Sequence, residues 1–207
     1  NAIKVRSLSA DHPEHSDIVN IGQLFQRPVY TMFYLADNPP HNGMTIGEFT
    51  DYNQPAMELW LESQGITDYE FVLPPTFDMV ADVASGAIDA GTGVFYNEPE
   101  RLRRLLGSDE AVVTQSAEEF ALLETGIHMS ESVLDTPEGR DVAVRVVRAL
   151  LQAVEWVSDS VNREEGIEIV CRYADCSTPE EREHQAQIYD ALVNPDNPIL
   201  VRDNGDI

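Results

Sequence analysis

Four short clusters in this chain bring rings, amides and carboxylates together at spacings that suit a small ligand. Tyr96-Asn97-Glu98 joins a stacking ring, an amide that both donates and accepts, and a carboxylate. Phe77-Asp78, after Thr76, repeats the ring and the carboxylate. Asp51-Tyr52-Asn53, after Thr50, offers all three groups again. Gln23, Phe25 and Gln26 add two amides and another ring. Aromatic faces stack on flat molecules, and carboxylates form strong charge-assisted bonds with N–H donors. The combination fits a planar, nitrogen-containing molecule, such as an aminopyrimidine stacked on a ring and donating to Glu98 or Asp78. Each residue also has a plainer use. Phe25 and Phe77 can be core, Tyr52 and Asn53 can cap the helix that follows, and Asp78 can complement a helix N-terminus.

The surrounding elements decide whether these clusters meet. Residues 70–73 form a short apolar run ended by Pro74-Pro75, which cannot donate to a sheet ladder. Residues 77–84 place Met79, Val80, Val83 and Ala84 at helical spacing, and Ser85-Gly86 supplies the left-handed stop. Residues 88–95 (IDAGTGVF) then read as a parallel strand covered on both faces. A strand–helix–strand unit crosses over right-handed. The loops after its strands open on one edge of the sheet, where ligands bind. Residues 76–78 and 96–98 should therefore face one crevice.

Further along, residues 18–25 predict a strand, broken at Gln26-Arg27-Pro28, and residues 29–35 a second buried run. The turn-rich DNPPHNG at 37–43 is the expected hinge between two lobes. A strand at 45–49 and a helix to Ser63 follow, with Met57, Trp60 and Leu61 on its apolar side and Gly65 ending it. Residues 99–106 predict a helix with Arg101, Arg103 and Arg104 exposed, 111–114 a strand, and 116–124 the return crossing. From Thr136-Pro137 the signal is helical. Val142, Val146, Ala149, Leu150, Ala153 and Val157 recur at steps of three and four. Further helices are expected at 163–173 and from Ser177-Thr178-Pro179. The lobes are thus 1–40 with 116–207, and 41–115.

Composition narrows the function classes. The 207 residues carry 37 Asp plus Glu against 13 Lys plus Arg, a formal net charge of -24. Such a surface repels nucleic acid and anionic lipid, whose phosphates need clustered cations. Lys4 is the sole lysine. A dense carboxylate surface whose repulsion is screened by salt suits a salt-loving source, and arginine-biased coding is the plain alternative. At 43% hydrophobic residues a sizeable core can form, and no run of about 18 apolar residues could span a membrane. Cys171 and Cys176, in CRYADC, are expected as two buried thiols. A local disulfide is the alternative if the helix breaks near Asp175 and the compartment oxidises.

The unit SGAIDA, then a glycine-containing strand, then YNE, resembles the substrate-binding proteins of ABC importers, more narrowly the NMT1/THI5-like group. Three further segments carry the resemblance: IVNIGQLFQRP at 18–28, MTIGEFTDYN at 44–53, and LLETGIHMSESVL at 122–134 followed by a long helix and Glu183-His184-Gln185. The resemblance implies an α/β fold of the type II periplasmic-binding-protein kind, with two lobes of parallel-rich sheets and a helical final third. It implies closure of those lobes on a pyrimidine precursor of thiamine or a similar ring. The partners it implies are the small-molecule ligand and the importer's membrane subunits, outside the cytoplasm. Relatives that bind sulfonates or nitrate need a cation in the cleft, and Arg27 is the only one expected near it, so a small anion ranks second. Family members carry more strand–helix units before residue 18, so the first lobe is expected to be incomplete and covered by a second copy of the chain.

Catalysis is not expected. Related pyrimidine synthases use a lysine-bound pyridoxal phosphate, a histidine and a cysteine-rich iron site. Lys4 lies in an irregular stretch, CRYADC does not match that site, and no GxSxG, HExxH or P-loop spacing occurs. No cofactor or metal is expected, and the five histidines are scattered. An enzyme on the same two lobes is the rival reading, and a ligand-sensing domain of a regulator the next.

Overall fold

The computed structural model of the protein describes residues 18–49, 54–116, 125–174, 176–194, 196 and 199–200. The chain forms two compact units. Pro28–Leu122 is an inserted unit, and Asn1–Arg27 with Leu123–Ile207 is the flanking unit.

The inserted unit is a three-layer α/β body. Its strands are β2 (Tyr30–Leu35), β3 (Met44–Gly47), β4 (Tyr69–Val72), β5 (Ala90–Val94) and β6 (Val112–Ser116), in the order β4-β3-β5-β2-β6. β3 runs parallel to β4 and β5, while β2 is antiparallel to both β5 and β6. Alternation along β2 divides the core. Met32 and Tyr34 point to one face, with Met44, Ile46 and the helix α1 (Gln54–Ser63). Phe33 points to the other, with helices α2 (Met79–Ser85) and α3 (Glu98–Leu106). Helix α1 buries Ala56, Met57, Trp60 and Leu61, the side its spacing predicts. Gly91 on β5 allows that second face to close, because a Cβ there would overlap Met79 and Phe33.

The flanking unit pairs β1 (Ile18–Gln23) antiparallel with β7 (Gly126–Ser130), with an irregularity between Asn20 and Gly22. Its helices are α4 (Glu131–Leu134), α5 (Pro137–Ser158), α6 (Arg163–Val170) and α7 (Pro179–Val193). Thr136 caps α5 by accepting from the Gly139 N–H. Thr178 and Glu181 form a reciprocal capping box on α7. Tyr189 of α7 packs against Gly166 of α6 and donates to the Val157 carbonyl at 2.6 Å. Arg163 clamps Asp190 through Nε at 2.7 Å and Nη2 at 2.6 Å, which raises the guanidinium pKa further above its ordinary value.

Four expectations change. The run at 29–35 belongs to the inserted unit, because β2 bonds to β5 and β6, so the first crossing falls before Pro28 and not at 37–43. The DNPPHNG segment is pinned inside that unit instead. Asn38 donates to Asp89 at 3.1 Å, and Asn42 Oδ1 accepts from the Thr67 and Asp68 N–H groups. Arg103 is not a free surface cation: it pairs with Glu100 and donates to Thr114 Oγ1 at 2.8 Å. Cys171 and Cys176 are a disulfide, because the chain turns after Val170 and brings their Cα atoms to 5.4 Å. Of the return crossing predicted at 116–124, Ser116 ends β6 and the rest lies outside the described residues, as does the irregular stretch before Ile18.

Candidate functional site

Three parallel strands of the inserted unit end on one edge. β3 runs into Glu48 and Phe49, β4 into Leu73, and β5 into Phe95 and Tyr96. The register Gly47↔Val72 and the Glu48 N–H bond to the Val72 carbonyl at 2.9 Å bring the first two ends side by side. This is the edge on which the strand–helix–strand argument places a site.

Pro74-Pro75 stop β4 and a turn closes by the Phe77 N–H donating to the Pro74 carbonyl at 3.1 Å. The turn leaves Phe77 at φ 59°, a left-handed conformation uncommon for a bulky residue. Its ring is 68% exposed. Phe49 and Leu73 are also exposed, so this edge presents apolar side chains from both neighbouring strand ends and from the turn after β4. The turn is held from below. The buried Asp82 carboxylate accepts from the Thr76 N–H at 3.0 Å and the Thr76 hydroxyl at 2.8 Å.

Asp78 is the N-cap of α2, and its Oδ1 accepts from the Val80 and Ala81 N–H groups. Its other oxygen faces Arg101 Nη2 at 3.9 Å. Asp78 therefore serves the helix and also meets a cation at the mouth of the edge. Arg101 stands in the first turn of α3, with its N–H bonded to the Asn97 carbonyl. Phe95 and Tyr96 contact edge-to-face at 5.3 Å between centroids. Glu98 turns inward: one oxygen accepts from the Val94 N–H at 2.9 Å, the other from Asn97 Nδ2 at 2.9 Å. Gly93 makes this fold-back feasible, since a Cβ there would overlap the Glu98 carboxylate.

Of the residues singled out from sequence, Phe77, Asp78, Tyr96 and Asn97 lie in the loops at this edge, and Glu98 opens α3 beside them. Asp51, Tyr52 and Asn53 fall outside the described residues. Gln23, Phe25 and Gln26 belong to the flanking unit. There Gln23 donates to the Phe25 carbonyl, Phe25 bridges to Leu200, and Gln26 donates through its side chain to the Leu200 carbonyl at 2.9 Å. Sequence reasoning passed over Glu48, Phe49, Leu73 and Arg101. The strand-end rule would have found the first three had it been applied one or two residues earlier on each strand. Arg101 follows from counting one turn along α3 from Asn97.

A protein-family model, NMT1/THI5 like, matches residues 4–160. No curated protein sequence matches the chain. Several solved structures share its fold. The alkanesulfonate-binding protein from Xanthomonas axonopodis pv. citri, bound to MOPS, superposes with a TM-score of 0.59 at 15% identity, over 89% of this chain and 63% of that one. A putative periplasmic sulfonate-binding protein of an ABC transporter from Methylobacillus flagellatus gives 0.55 at 17%, over 87% and 54%. The periplasmic nitrate-binding protein from Synechocystis gives 0.54 at 13%, over 89% and 52%. The chain thus spans under two thirds of the length of each of these three structures. At these identities the likeness is one of fold, the α/β fold of periplasmic binding proteins. With the family match covering well over half of its residues, the chain belongs to the NMT1/THI5-like family.

Proposed function

We propose that this chain is the extracytoplasmic solute-binding component of an ABC importer, and that the strand-end edge of its inserted unit holds a small planar heteroaromatic ligand. The observation that carries this reading is Phe77: an exposed ring, held in a left-handed turn, beside a carboxylate on the edge where three strands end. Strained residues concentrate where a surrounding structure holds a side chain for a task. A stacking ring with Asp78 nearby suits the amino and ring N–H donors of a pyrimidine, the ligand class that the resemblance read from the sequence implies. The ligand set on this edge comprises Phe77, Asp78, Tyr96, Asn97 and Glu98. The disulfide agrees with an oxidising compartment, and no described helix is long and apolar enough to cross a membrane. The partners in this reading are the ligand and the importer's membrane subunits, and the chain binds without turning its ligand over.

A second reading is favoured by one specific contact. Arg101 lies 3.9 Å from Asp78, and both side chains remain nearly half exposed. A small anion such as a sulfonate could exchange with Asp78 as the partner of that guanidinium. Thermal shift against thiamine precursors, thiamine, riboflavin, taurine and nitrate separates the two. Stabilisation by a heteroaromatic compound that is lost in Phe77→Ala supports the first. Stabilisation only by taurine or nitrate, lost in Arg101→Ala, replaces it with the second.

A further inference from the structure

Asp78 and Arg101 face each other at the mouth of the strand-end edge without a hydrogen bond between them. Asp78 Oδ2 stands 3.9 Å from Arg101 Nη2, whereas a direct guanidinium–carboxylate bond is about 2.7–2.9 Å long. The two side chains differ in freedom. Asp78 is fixed, because its Oδ1 accepts from the Val80 and Ala81 N–H groups. Arg101 is anchored at its backbone, through its N–H bond to the Asn97 carbonyl at 2.9 Å. Among the described residues, neither Asp78 nor Arg101 has another charged partner. Both side chains are nearly half exposed, so each has room for a second contact.

Such a pair selects ligands by their charge pattern. A ligand with a single charge gains from one member and is repelled by the other. An anion on Arg101 lies within about 4–6 Å of the Asp78 carboxylate, a distance at which like charges disfavour each other. A cation on Asp78 meets Arg101 in the same way. A zwitterion avoids both penalties. Laid alongside the pair in reverse order, its ammonium touches Asp78 and its carboxylate touches Arg101, which closes a ring of alternating charges. The head of an α-amino acid has the right span. One carbon joins its two charged groups, so they lie roughly 3 Å apart, close to the 3.9 Å of the protein's pair. A platform for the rest of the ligand stands beside it, because Phe77 adjoins Asp78 and its ring is exposed.

We propose, resting on the reading of the strand-end edge as the ligand site, that its preferred ligand is a heteroaromatic ring carrying an α-amino-acid head. The ring lies on Phe77, the ammonium against Asp78 and the carboxylate against Arg101. Neither a neutral pyrimidine nor a small anion uses all three side chains. The remaining cations of the inserted unit do not compete for the carboxylate at this point. Its arginines are Arg101, Arg103 and Arg104, all in α3, and it has no lysine. Arg103 is engaged by Glu100 and by Thr114 Oγ1 at 2.8 Å, and Arg101 is the one that meets Asp78.

Isothermal titration of the full chain with tryptophan, tryptamine, indolepropionate, indole and cytosine tests this. The indole body stays constant while the charges change one at a time, and cytosine is a neutral aminopyrimidine. Tryptophan should bind about tenfold or more tightly than either singly charged analogue, because each of those loses an attraction and keeps a repulsion. Asp78→Asn keeps the helix cap and should erase the advantage of tryptophan over indolepropionate. Arg101→Gln should erase its advantage over tryptamine. A merely structural role for either residue would weaken all the indole ligands alike, and that pattern overturns the proposal. Equal binding of tryptophan and a singly charged analogue to the parent overturns it too. Binding of cytosine with none of tryptophan overturns it and leaves the edge as a heteroaromatic site. No binding by any of the five overturns both.

Discussion

A phenylalanine held at φ 59° is destabilised by about 1–2 kcal/mol relative to the ordinary regions, and a ring 68% exposed recovers little of that by burial. The two facts together separate Phe77 from a packing residue. Phe77→Gly should therefore raise stability by about 1 kcal/mol in urea unfolding and at the same time reduce any ligand-induced thermal shift. A variant that loses stability and keeps its ligand response would remove Phe77 from the site. At the opposite end of the same sheet, Asp89 is a structural carboxylate. Burial raises its pKa, but the Thr45 N–H at 2.8 Å, the Asn38 amide, the Thr45 hydroxyl and nearby His41 outweigh it, and the net direction is down. A depressed folded-state pKa contributes stability that is full above the unfolded value and fades as pH falls through the folded one. Asp89→Asn should be less stable than the parent by about 1 kcal/mol at neutral pH. The gap should close as pH falls below about 4. A gap that is constant down to strongly acid pH would show that the carboxylate charge plays no part.

Elements were legible where local chemistry decides them and obscure where distant pairing does. The stop after α2 follows from one glycine, Gly86 at φ 71°. The starts of α5 and α7 follow from Thr-Pro pairs that cap and pre-set the first turn. The buried side of α1 was readable from spacing alone. The home of β2 was not, because it is fixed by Tyr30 against Val94 and Thr31 against Ser116, partners 64 and 85 positions away. The long helix illustrates the same limit: its spacing announced a helix, but Val142 and Val146 stay well exposed while Ala143 and Val154 are the buried positions. The edge loops were legible because they follow directly from strand ends. The Arg101–Asp78 contact was not, since it joins two different helices. The disulfide staples the turn between α6 and α7, where the sequence alone favoured free thiols. Its closed loop is short, so Cys176→Ser should cost about 2 kcal/mol in reversible unfolding, with α6 and α7 losing amide-exchange protection first. Unchanged stability after substitution would mean that the Arg163–Asp190 clamp alone holds the pair.

For the whole molecule, charge dominates. A net charge of -24 on 207 residues repels itself, and salt shortens the range of that repulsion to about 8–10 Å near physiological strength. Tm should rise as sodium chloride is added, steeply at first and then levelling. A Tm indifferent to salt would refute the view that carboxylate repulsion limits stability, and with it the salt-loving interpretation of the composition.

One consequence lies in how the inserted unit is sewn into the chain. Thr31 pairs with Ser116. The sheet's first strand therefore begins where its last strand ends. A body whose two chain ends lie side by side is of the kind that tolerates excision and insertion as a unit, and expression of residues 28–122 alone with a cooperative unfolding transition would check it here.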